Sequence, residues 1–337
     1  MLIESVFVFV LAFVLIKMVM RYGPVFGFVD IPNGRSSHSK SMPISAGIGI
    51  YGAIVITIAF FNSDFLVTHL LTALAIFMVF VVGVLDDHRD TSPRTKFFVI
   101  AIAAFLMVLD GTEIHTLGTL FGVTISLGYL SIPFTLFAVV GYTNALNLID
   151  GLDGLAGSIS LIILSGLFSV GYSYNDYFMM LLAGTFIAAL AAFLLLNWHP
   201  AKIFMGDSGS LTLGFVISLL AVRATAYIHP VSVLFLVSLP VFDTIIVMIR
   251  RKVSGHSIFS ADKTHIHHVL FNFFEGDTKR TVIFLSIIQI IYSVTALELT
   301  AQSSETVILM LFILNTIILY LIFSEMLKRQ RRMGKEY

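Results

Sequence analysis

The feature that most restricts the fold of this chain is a series of long apolar stretches running from one end to the other. Eleven stretches approach or reach bilayer-spanning length: 2–21, 44–61, 66–85, 95–110, 131–149, 156–172, 177–196, 208–226, 231–249, 281–297 and 306–325. A membrane-spanning helix requires about 20 predominantly apolar residues. The 337-residue chain is 58% hydrophobic with a mean hydropathy of +0.97, which excludes an ordinary soluble protein. We predict an all-α polytopic membrane protein that forms a single integral membrane domain.

Positive charge is distributed unequally between the two sets of loops. One set contains Arg21, Arg35, Lys96, Arg251 and the basic tail 328–337. The opposite set contains no Lys or Arg and comprises 62–65, 111–130, 173–176, 227–230 and 298–305. The positive-inside rule therefore predicts an outer N-terminus and a cytoplasmic C-terminus, which eleven spans satisfy. Segment 115–128 is rich in β-branched residues and glycine, which favours a small hairpin or an interfacial loop over a helix.

Four polar clusters interrupt the apolar pattern, each at the end of a stretch. They are Asp86-Asp87, residues 144–155, residues 204–210 and residues 265–268. Carboxylates close to lipid are costly and usually mark a working site. The predicted topology brings all four to the cytoplasmic face, so we expect one active site there. The chain has no cysteine, which excludes thiolate chemistry and disulfides.

Asp86 and Asp87 end the third predicted span. Two carboxylates at a helix C-terminus oppose the helix dipole, which disfavours a purely structural role. Both can reach a common hard cation, Mg²⁺ or Mn²⁺. The alternative is that they are solvated charges that end an apolar helix.

Asn147, Asp150 and Asp153 are spaced three apart, so a continuing helix would place them on one face. An amide and two carboxylates on one stripe suit a base, a ribose or a metal-bound diphosphate. The alternative is a turn that ends the helix. Asp207 or Ser208 is a candidate N-cap of the eighth span, and Asp207 is also a candidate metal ligand beside a diphosphate.

His265, His267 and His268 lie in the long loop 250–280. Imidazoles can bind phosphate, although a zinc site and a structural loop are the alternatives. Asp243 lies about two turns before Arg250 on the ninth span. It pairs either within the bundle or with a substrate.

In this order, the motifs resemble those of the polyprenyl-phosphate N-acetylhexosamine-1-phosphate transferases, or glycosyltransferase family 4, which include phospho-MurNAc-pentapeptide transferase. The matching motifs are Asp30-x-Pro-x-x-Arg-Ser-Ser-His38, Asp86-Asp87, Asn147-x-x-Asp-Gly-x-Asp-Gly154, Phe204-Met-Gly-Asp-x-Gly-Ser210 and Asp262-x-x-His-Ile-His-His268. The last motif is similar to that of the undecaprenyl-phosphate N-acetylglucosamine-1-phosphate branch. One departure is Ser45-Ala-Gly47, where members of the family usually carry paired glycines.

The resemblance implies an enzyme of a bacterial cytoplasmic membrane. It would transfer N-acetylhexosamine-1-phosphate, with N-acetylglucosamine expected, from a UDP-sugar to undecaprenyl phosphate, release UMP and initiate cell-surface polysaccharide synthesis. It implies Mg²⁺, with Mn²⁺ as the alternative, and no nucleic acid, while a homodimer is left open.

The same resemblance assigns roles to individual residues. Asp86, Asp87 and Asp207 would form the catalytic group, with Asp87 and Asp207 as metal ligands and Asp86 orienting or deprotonating the lipid phosphate. The residues expected to bind substrate are Asn147, Asp150 and Asp153 at the uridine diphosphate, and Lys96, Arg251, His265, His267 and His268 at the phosphates or the sugar. The alternative function is a secondary transporter with an acidic site on the cytoplasmic side. Spans uninterrupted at their middles and polar clusters at one face argue against it.

Overall fold

The computed structural model describes residues 2–30, 41–253, 255 and 265–332, and this part of the chain is almost entirely helical. Its helices are α1 Leu2–Tyr22, α2 Ala46–Phe61, α3 Ser63–Thr68, α4 Leu70–His88, α5 Pro93–Leu109, α6 Ser131–Ile149, α7 Leu155–Ser173, α8 Tyr177–Asn197, α9 Asp207–Ala224, α10 Pro230–Leu236, α11 Ser238–Val253, α12 Ile266–Phe273, α13 Thr278–Gln302 and α14 Glu305–Arg332. Its strands form two antiparallel pairs, β1 Val29–Asp30 with β2 Met42–Pro43, and β3 Thr116–Leu120 with β4 Val123–Ser126. The hairpin predicted within 115–128 is confirmed.

The helices agree with a polytopic membrane protein. Within the described residues, eight helices are long and apolar enough to cross a bilayer, or nine if the bent pair of α10 and α11 is one span. Each of the eleven predicted stretches contains helix, but the stretch 231–249 is divided between α10 and α11, and α2 and α5 have only 16 and 17 residues. The count of eleven and the orientation therefore stay predictions. Most of the motif Asp30–His38 and Asp262 of the last motif lie outside the described residues.

Helix α9 is the central element of the bundle. Every one of its 18 residues is buried except Asp207 and Arg223, which lie at its two ends. Helices α2, α4, α6 and α7 pack around it, whereas α13 and α14 present apolar side chains outward, as expected for contact with lipid. The most buried helix thus begins at the acidic cluster.

Two glycines let backbones approach closely at the first turn of α9. A Cβ built on Gly83 of α4 would lie 2.5 Å from the carbonyl oxygen of Asp207, and one on Gly47 of α2 would lie 2.2 Å from the amide nitrogen of Gly209. Small residues of this kind are the usual means of close helix packing in membranes. The beginning of α9 is therefore fixed by backbone contact with two other helices.

The ninth predicted span is not continuous. It divides into α10 and α11, whose axes differ by 89°. Pro240 has no N–H to donate to the carbonyl of Leu236, and its ring clashes with a continuing helix at that carbonyl. The expectation that the spans are uninterrupted at their middles is wrong for this one, so it no longer argues against a transporter.

Ion pairs also occur at the end of α9 remote from the acidic cluster. Arg223 donates from Nε to Asp176 Oδ2 at 2.5 Å, and the Tyr227 hydroxyl donates to the same oxygen at 2.8 Å. Burial alone would raise the pKa of Asp176, but Arg223 and Tyr227 hold it below its usual value. This pair accounts for an arginine inside an apolar stretch, and it ties the C-terminus of α9 to the α7–α8 turn.

We predict that Gly83→Ala lowers the free energy of unfolding by about 1–3 kcal/mol, because the added methyl would overlap backbone that cannot move cheaply. The matched control is Gly141→Ala on α6, where no atom lies within 4 Å of the added Cβ. Thermal unfolding of both variants in detergent would measure the difference. A Gly83→Ala protein as stable as Gly141→Ala would contradict the close contact.

Candidate active site

The first turn of α9 is capped by a carboxylate from another helix. Asp207 N donates to Asp87 Oδ1 at 2.6 Å, and Ser208 N donates to Asp87 Oδ2 at 3.2 Å. The first N–H groups of a helix have no partner within the helix, and its dipole favours a negative charge there. The prediction that Asp207 or Ser208 caps α9 is wrong, because the residue at the N-cap position is Gly206 and the acceptor is Asp87.

Ser45 holds Asp87 in this position, and Gly206 leaves the space for it. The buried Ser45 donates from Oγ to Asp87 Oδ2 at 2.7 Å, and it does so from a left-handed backbone conformation with φ of 76°. Gly206 also has a positive φ, of 73°, and a Cβ there would lie 2.5 Å from Asp87 Oδ2. The departure at Ser45 noted in the sequence therefore supplies a direct hydrogen bond to the site.

Lys96 joins two of the predicted catalytic carboxylates. Its Nζ lies 3.1 Å from Asp86 Oδ2 and 2.9 Å from Asp207 Oδ2. The other oxygen of Asp86 accepts a hydrogen bond from Thr91 N at 2.8 Å. The positive charge between Asp86 and Asp207 is therefore the ammonium group of Lys96, at the end of a flexible side chain.

Asn147 completes the surroundings of Asp207. Its Nδ2 donates to Asp207 Oδ1 at 2.9 Å and to Ser210 Oγ at 2.8 Å. The two oxygens of Asp207 therefore face an ammonium on one side and an amide on the other. This geometry joins the ends of α4, α5 and α6 to the start of α9.

The row formed by Asn147, Asp150 and Asp153 does not lie on one helical face. Helix α6 ends at Ile149, and a turn over 150–154 leads to α7, with Gly154 in the left-handed region at φ of 76°. The prediction of one continuing stripe is wrong, because Asp150 and Asp153 lie in this turn and not on the helix that carries Asn147. The chain does form a helix-ending turn here, and the binding of substrate by these side chains stays a prediction.

The two aspartates of this turn have different surroundings. Burial, with the negative charges of Asp207, Asp87 and Asp153, raises the pKa of Asp150 to about 7. Asp153 instead accepts a hydrogen bond from Ala201 N at 3.0 Å and pairs with His199 Nδ1 at 2.7 Å. Asp150 therefore faces the acidic cluster, whereas Asp153 fastens the α8–α9 connection to the turn.

The histidine cluster begins with a buried contact between a carboxylate and an imidazole. Asp243 of α11 lies 2.7 Å from His265 Nδ1, and its other oxygen accepts from Ile266 N at 2.6 Å. Asp243 thus pairs within the bundle and caps α12. The structure also places Arg251 in the last turn of α11 and His268 in the first turn of α12, with the His268 ring 4.2 Å from that of His267.

His267 is buried against the α6–α7 turn. A Cβ on Gly151 would lie 2.6 Å from His267 Nε2, and neither ring nitrogen has a hydrogen-bond partner among the described residues. Burial, with the nearby imidazoles of His268 and His265, lowers the pKa of His267 to about 3. The ring is therefore neutral at physiological pH and offers a hydrogen bond rather than a positive charge.

The donor set suits an open Mg²⁺ site. Asp86, Asp87, Asp150 and Asp207 are hard oxygen donors, and among them the described structure pairs only Lys96 as a cation. Within the described residues, no three His, Asp or Glu side chains converge as a closed metal site. Mg²⁺ commonly binds through one or two carboxylates, waters and substrate phosphates, so the residues fit this ion.

Sequence reasoning correctly grouped the ends of α4 and α6 with the start of α9, but it missed three contributors. They are Ser45, His199 and Ser210. Their signal in the sequence is weak, since each is a single polar residue whose partner lies far along the chain. The histidine-bearing α12 reaches the cluster through Gly151.

Comparison with known proteins agrees with the resemblance that the motifs show. The model of the family described as Glycosyl transferase family 4 matches residues 69–225. The chain is 34% identical to the "Probable undecaprenyl-phosphate N-acetylglucosaminyl 1-phosphate transferase" of Bacillus subtilis, over 91% of this chain and 86% of that protein. It is 32% identical to the "Undecaprenyl-phosphate alpha-N-acetylglucosaminyl 1-phosphate transferase" of Yersinia pestis, over 79% and 76%, and 31% identical to that of Salmonella typhi, over 92% and 88%.

We predict that Ser45→Ala destabilises the protein more than Ser45→Gly does. Both variants lose the hydrogen bond to Asp87, but only glycine relieves the positive φ, which costs other residues about 1–2 kcal/mol. Thermal or chemical unfolding of the two variants would give this difference directly. Equal stabilities would show that the backbone of residue 45 is not held in the left-handed conformation.

We also predict a pH dependence of stability that arises from Asp150. Its folded-state pKa is raised, so its contribution is fully present below the unfolded value of about 3.9 and is lost as the pH rises through about 7. The slope for one proton is at most about 1.4 kcal/mol per pH unit. In Asp150→Asn the decline over this range should become shallower, as followed by unfolding at a series of pH values, whereas Asp64→Asn, an exposed residue on α3, should leave it unchanged.

Proposed function

The chain belongs to glycosyl transferase family 4, and from this membership we propose that it transfers N-acetylhexosamine-1-phosphate from a UDP-sugar to undecaprenyl phosphate. An oxygen of the lipid phosphate attacks the β-phosphorus of the nucleotide sugar, the bond between that phosphorus and the bridging oxygen breaks, and UMP leaves. The observation that carries the proposal is that Lys96 and Asn147 both contact the carboxylate of Asp207, at the N-terminus of α9 that Asp87 caps. The names of the relatives favour N-acetylglucosamine as the sugar.

Both substrates are anions, so the site must bring negative groups together. Lys96 supplies positive charge next to Asp86 and Asp207. We assign Asp86 to orienting or deprotonating the lipid phosphate, because its lysine partner also attracts that phosphate. Asn147 and Asp150 line the side towards the uridine diphosphate, with Asp153 holding the turn that carries them.

Asp207 and Asp87 are the proposed ligands of Mg²⁺, or alternatively of Mn²⁺. Asp87 Oδ1 accepts one hydrogen bond, from Asp207 N, which leaves this oxygen a lone pair for a metal. When bound, the ion would neutralise the diphosphate and stabilise the charge that develops on it. The neutral His267, with His265, His268 and Arg251, is assigned to the sugar and the phosphates.

The same proposal includes the setting of the enzyme. The distribution of Lys and Arg supports an acidic cluster at the cytoplasmic face of a bacterial inner membrane. The UDP-sugar is water-soluble and the lipid phosphate lies at the membrane surface, so a site at the ends of α4, α6 and α9 is accessible to both. The product would start the assembly of a cell-surface polysaccharide.

The experiment combines purified protein with undecaprenyl phosphate, Mg²⁺ and a panel of UDP-sugars, and follows UMP release and the mass of the lipid product. We expect UMP release and a lipid product with N-acetylglucosamine. Asp207→Asn should lower the rate by about 10²-fold or more, since it removes a charge from the centre of the site. The exposed Asp64→Asn on α3 is the matched control and should retain the rate of the unmodified protein.

Two results would contradict the proposal. If no UDP-sugar in the panel yields UMP, the chemistry is wrong, and flux of a solute in proteoliposomes would support the transporter alternative. If Asp207→Asn retains near-normal UMP release, the transferase reading survives but the assignment of its centre does not.

A further inference from the structure

The bend between α10 and α11 leaves two backbone groups without their helical partners. Pro240 has no N–H, so the carbonyl of Leu236 lacks the donor that a continuous helix would provide. The N–H of Leu239 is likewise turned away from the preceding turn, because Val237 interrupts the helix between them. An unsatisfied backbone group at membrane depth costs several kcal/mol, so such breaks persist only where other groups replace the lost bonds.

The side-chain amide of Gln289, on α13, makes both replacements. Its Nε2 donates to Leu236 O at 2.9 Å and to Ser293 Oγ at 3.1 Å, and its Oε1 accepts from Leu239 N at 3.1 Å. Gln289 is completely buried, near the middle of α13. One amide thus satisfies both sides of the break, and each of its own hydrogen-bonding groups is used.

The direction that α11 takes after the bend determines where the histidines lie. Asp243 follows Leu239 by about one helical turn and holds His265 and the first N–H of α12. Helix α12 in turn carries His267 onto Gly151. A continuous set of buried contacts therefore runs from Gln289 through α11 and Asp243 to the turn that bears Asp150.

We propose that Gln289 is a positioning residue for the active site. It fixes the bend between α10 and α11, and through Asp243 it sets the placement of α12 and its histidines against the α6–α7 turn. Gln289 acts through these elements and touches no substrate. The kinetic part of the test rests on the proposed transferase function, whereas the structural part does not.

The kinetic test compares Gln289→Leu and Gln289→Glu with the unmodified protein. Leucine removes both hydrogen bonds at the break, so we expect KM for the UDP-sugar to rise about 10-fold or more, with a smaller change in kcat. The matched control is Gln302→Leu, which alters an exposed glutamine in the last turn of the same helix and should change KM less than about 2-fold. Unchanged kinetics in Gln289→Leu would overturn the proposal.

The glutamate variant separates positioning from a general packing defect. A protonated carboxyl group can donate to Leu236 O and accept from Leu239 N, whereas a carboxylate can only accept. Gln289→Glu should therefore have a near-normal KM for the UDP-sugar at about pH 6. KM should rise as the carboxyl ionises towards about pH 9. The titratable residue closest in sequence is Tyr292 on α13, whose hydroxyl donates to Asn315, and on α11 it is Asp243, which contacts His265. A pH profile parallel to that of the unmodified protein would contradict the proposal.

The absence of cysteine from the sequence permits a measurement that does not depend on activity. Spin labels at Val253→Cys, at the exposed end of α11, and Leu85→Cys, near the end of α4, report the distance between these helices. We expect a single narrow distribution in the Gln302→Leu background and a shifted or broadened one with Gln289→Leu. An identical distribution overturns the proposal. A changed distribution, together with an unmodified protein that transfers no hexosamine-1-phosphate, would support the role of Gln289 and reject the transferase function.

Discussion

The rest of the site depends on one interaction, the capping of α9 by Asp87 of α4. A buried helix that begins at the edge of a bilayer has N–H groups that neither lipid nor the helix can satisfy. Asp87 accepts from the first two of them. The charge opposes the dipole of its own helix, but the N-terminus of α9 more than offsets this effect because the donors lie in direct contact. This capping fixes Asp207 as the first residue of α9, opposite Lys96 and Asn147, and the close packing at Gly47 and Gly83 leaves it little freedom.

Much of this arrangement could be predicted from the sequence, and the part that could not has a common cause. Apolar length alone located helix in every predicted stretch, because a segment buried in lipid must make its backbone hydrogen bonds within itself. The β-branched residues and glycines of 115–128 left a hairpin or an interfacial loop open, and the structure has the hairpin. Local pattern failed where a partner far along the chain decides the outcome, as in the capping of α9 from residue 87. The break at Pro240 is visible locally, yet whether a membrane helix bends or ends there depends on Gln289, which lies 50 residues beyond Leu239.

The acidic cluster and the histidine cluster of the site differ in charge. The carboxylates at the ends of α4 and α9 concentrate negative charge, and the pKa of Asp150 rises in response. Two of the three histidines do not compensate for it, since His265 is paired with Asp243 and His267 is neutral. Among the described contacts of these carboxylates, Lys96 supplies the positive charge, and the proposed Mg²⁺ would supply more.

The separation of Asp87 and Asp207 by 120 residues also bears on how the protein is made. A ribosome adds about 5–20 residues per second, so α4 enters the membrane roughly ten seconds before the helix that its carboxylate will cap. During that interval Asp87 needs water, and a position at the end of α4 rather than in its middle keeps it within reach of the surface. The location of this carboxylate is thus constrained twice, by the finished fold and by the order of insertion, and no chain released before α9 can contain an assembled site.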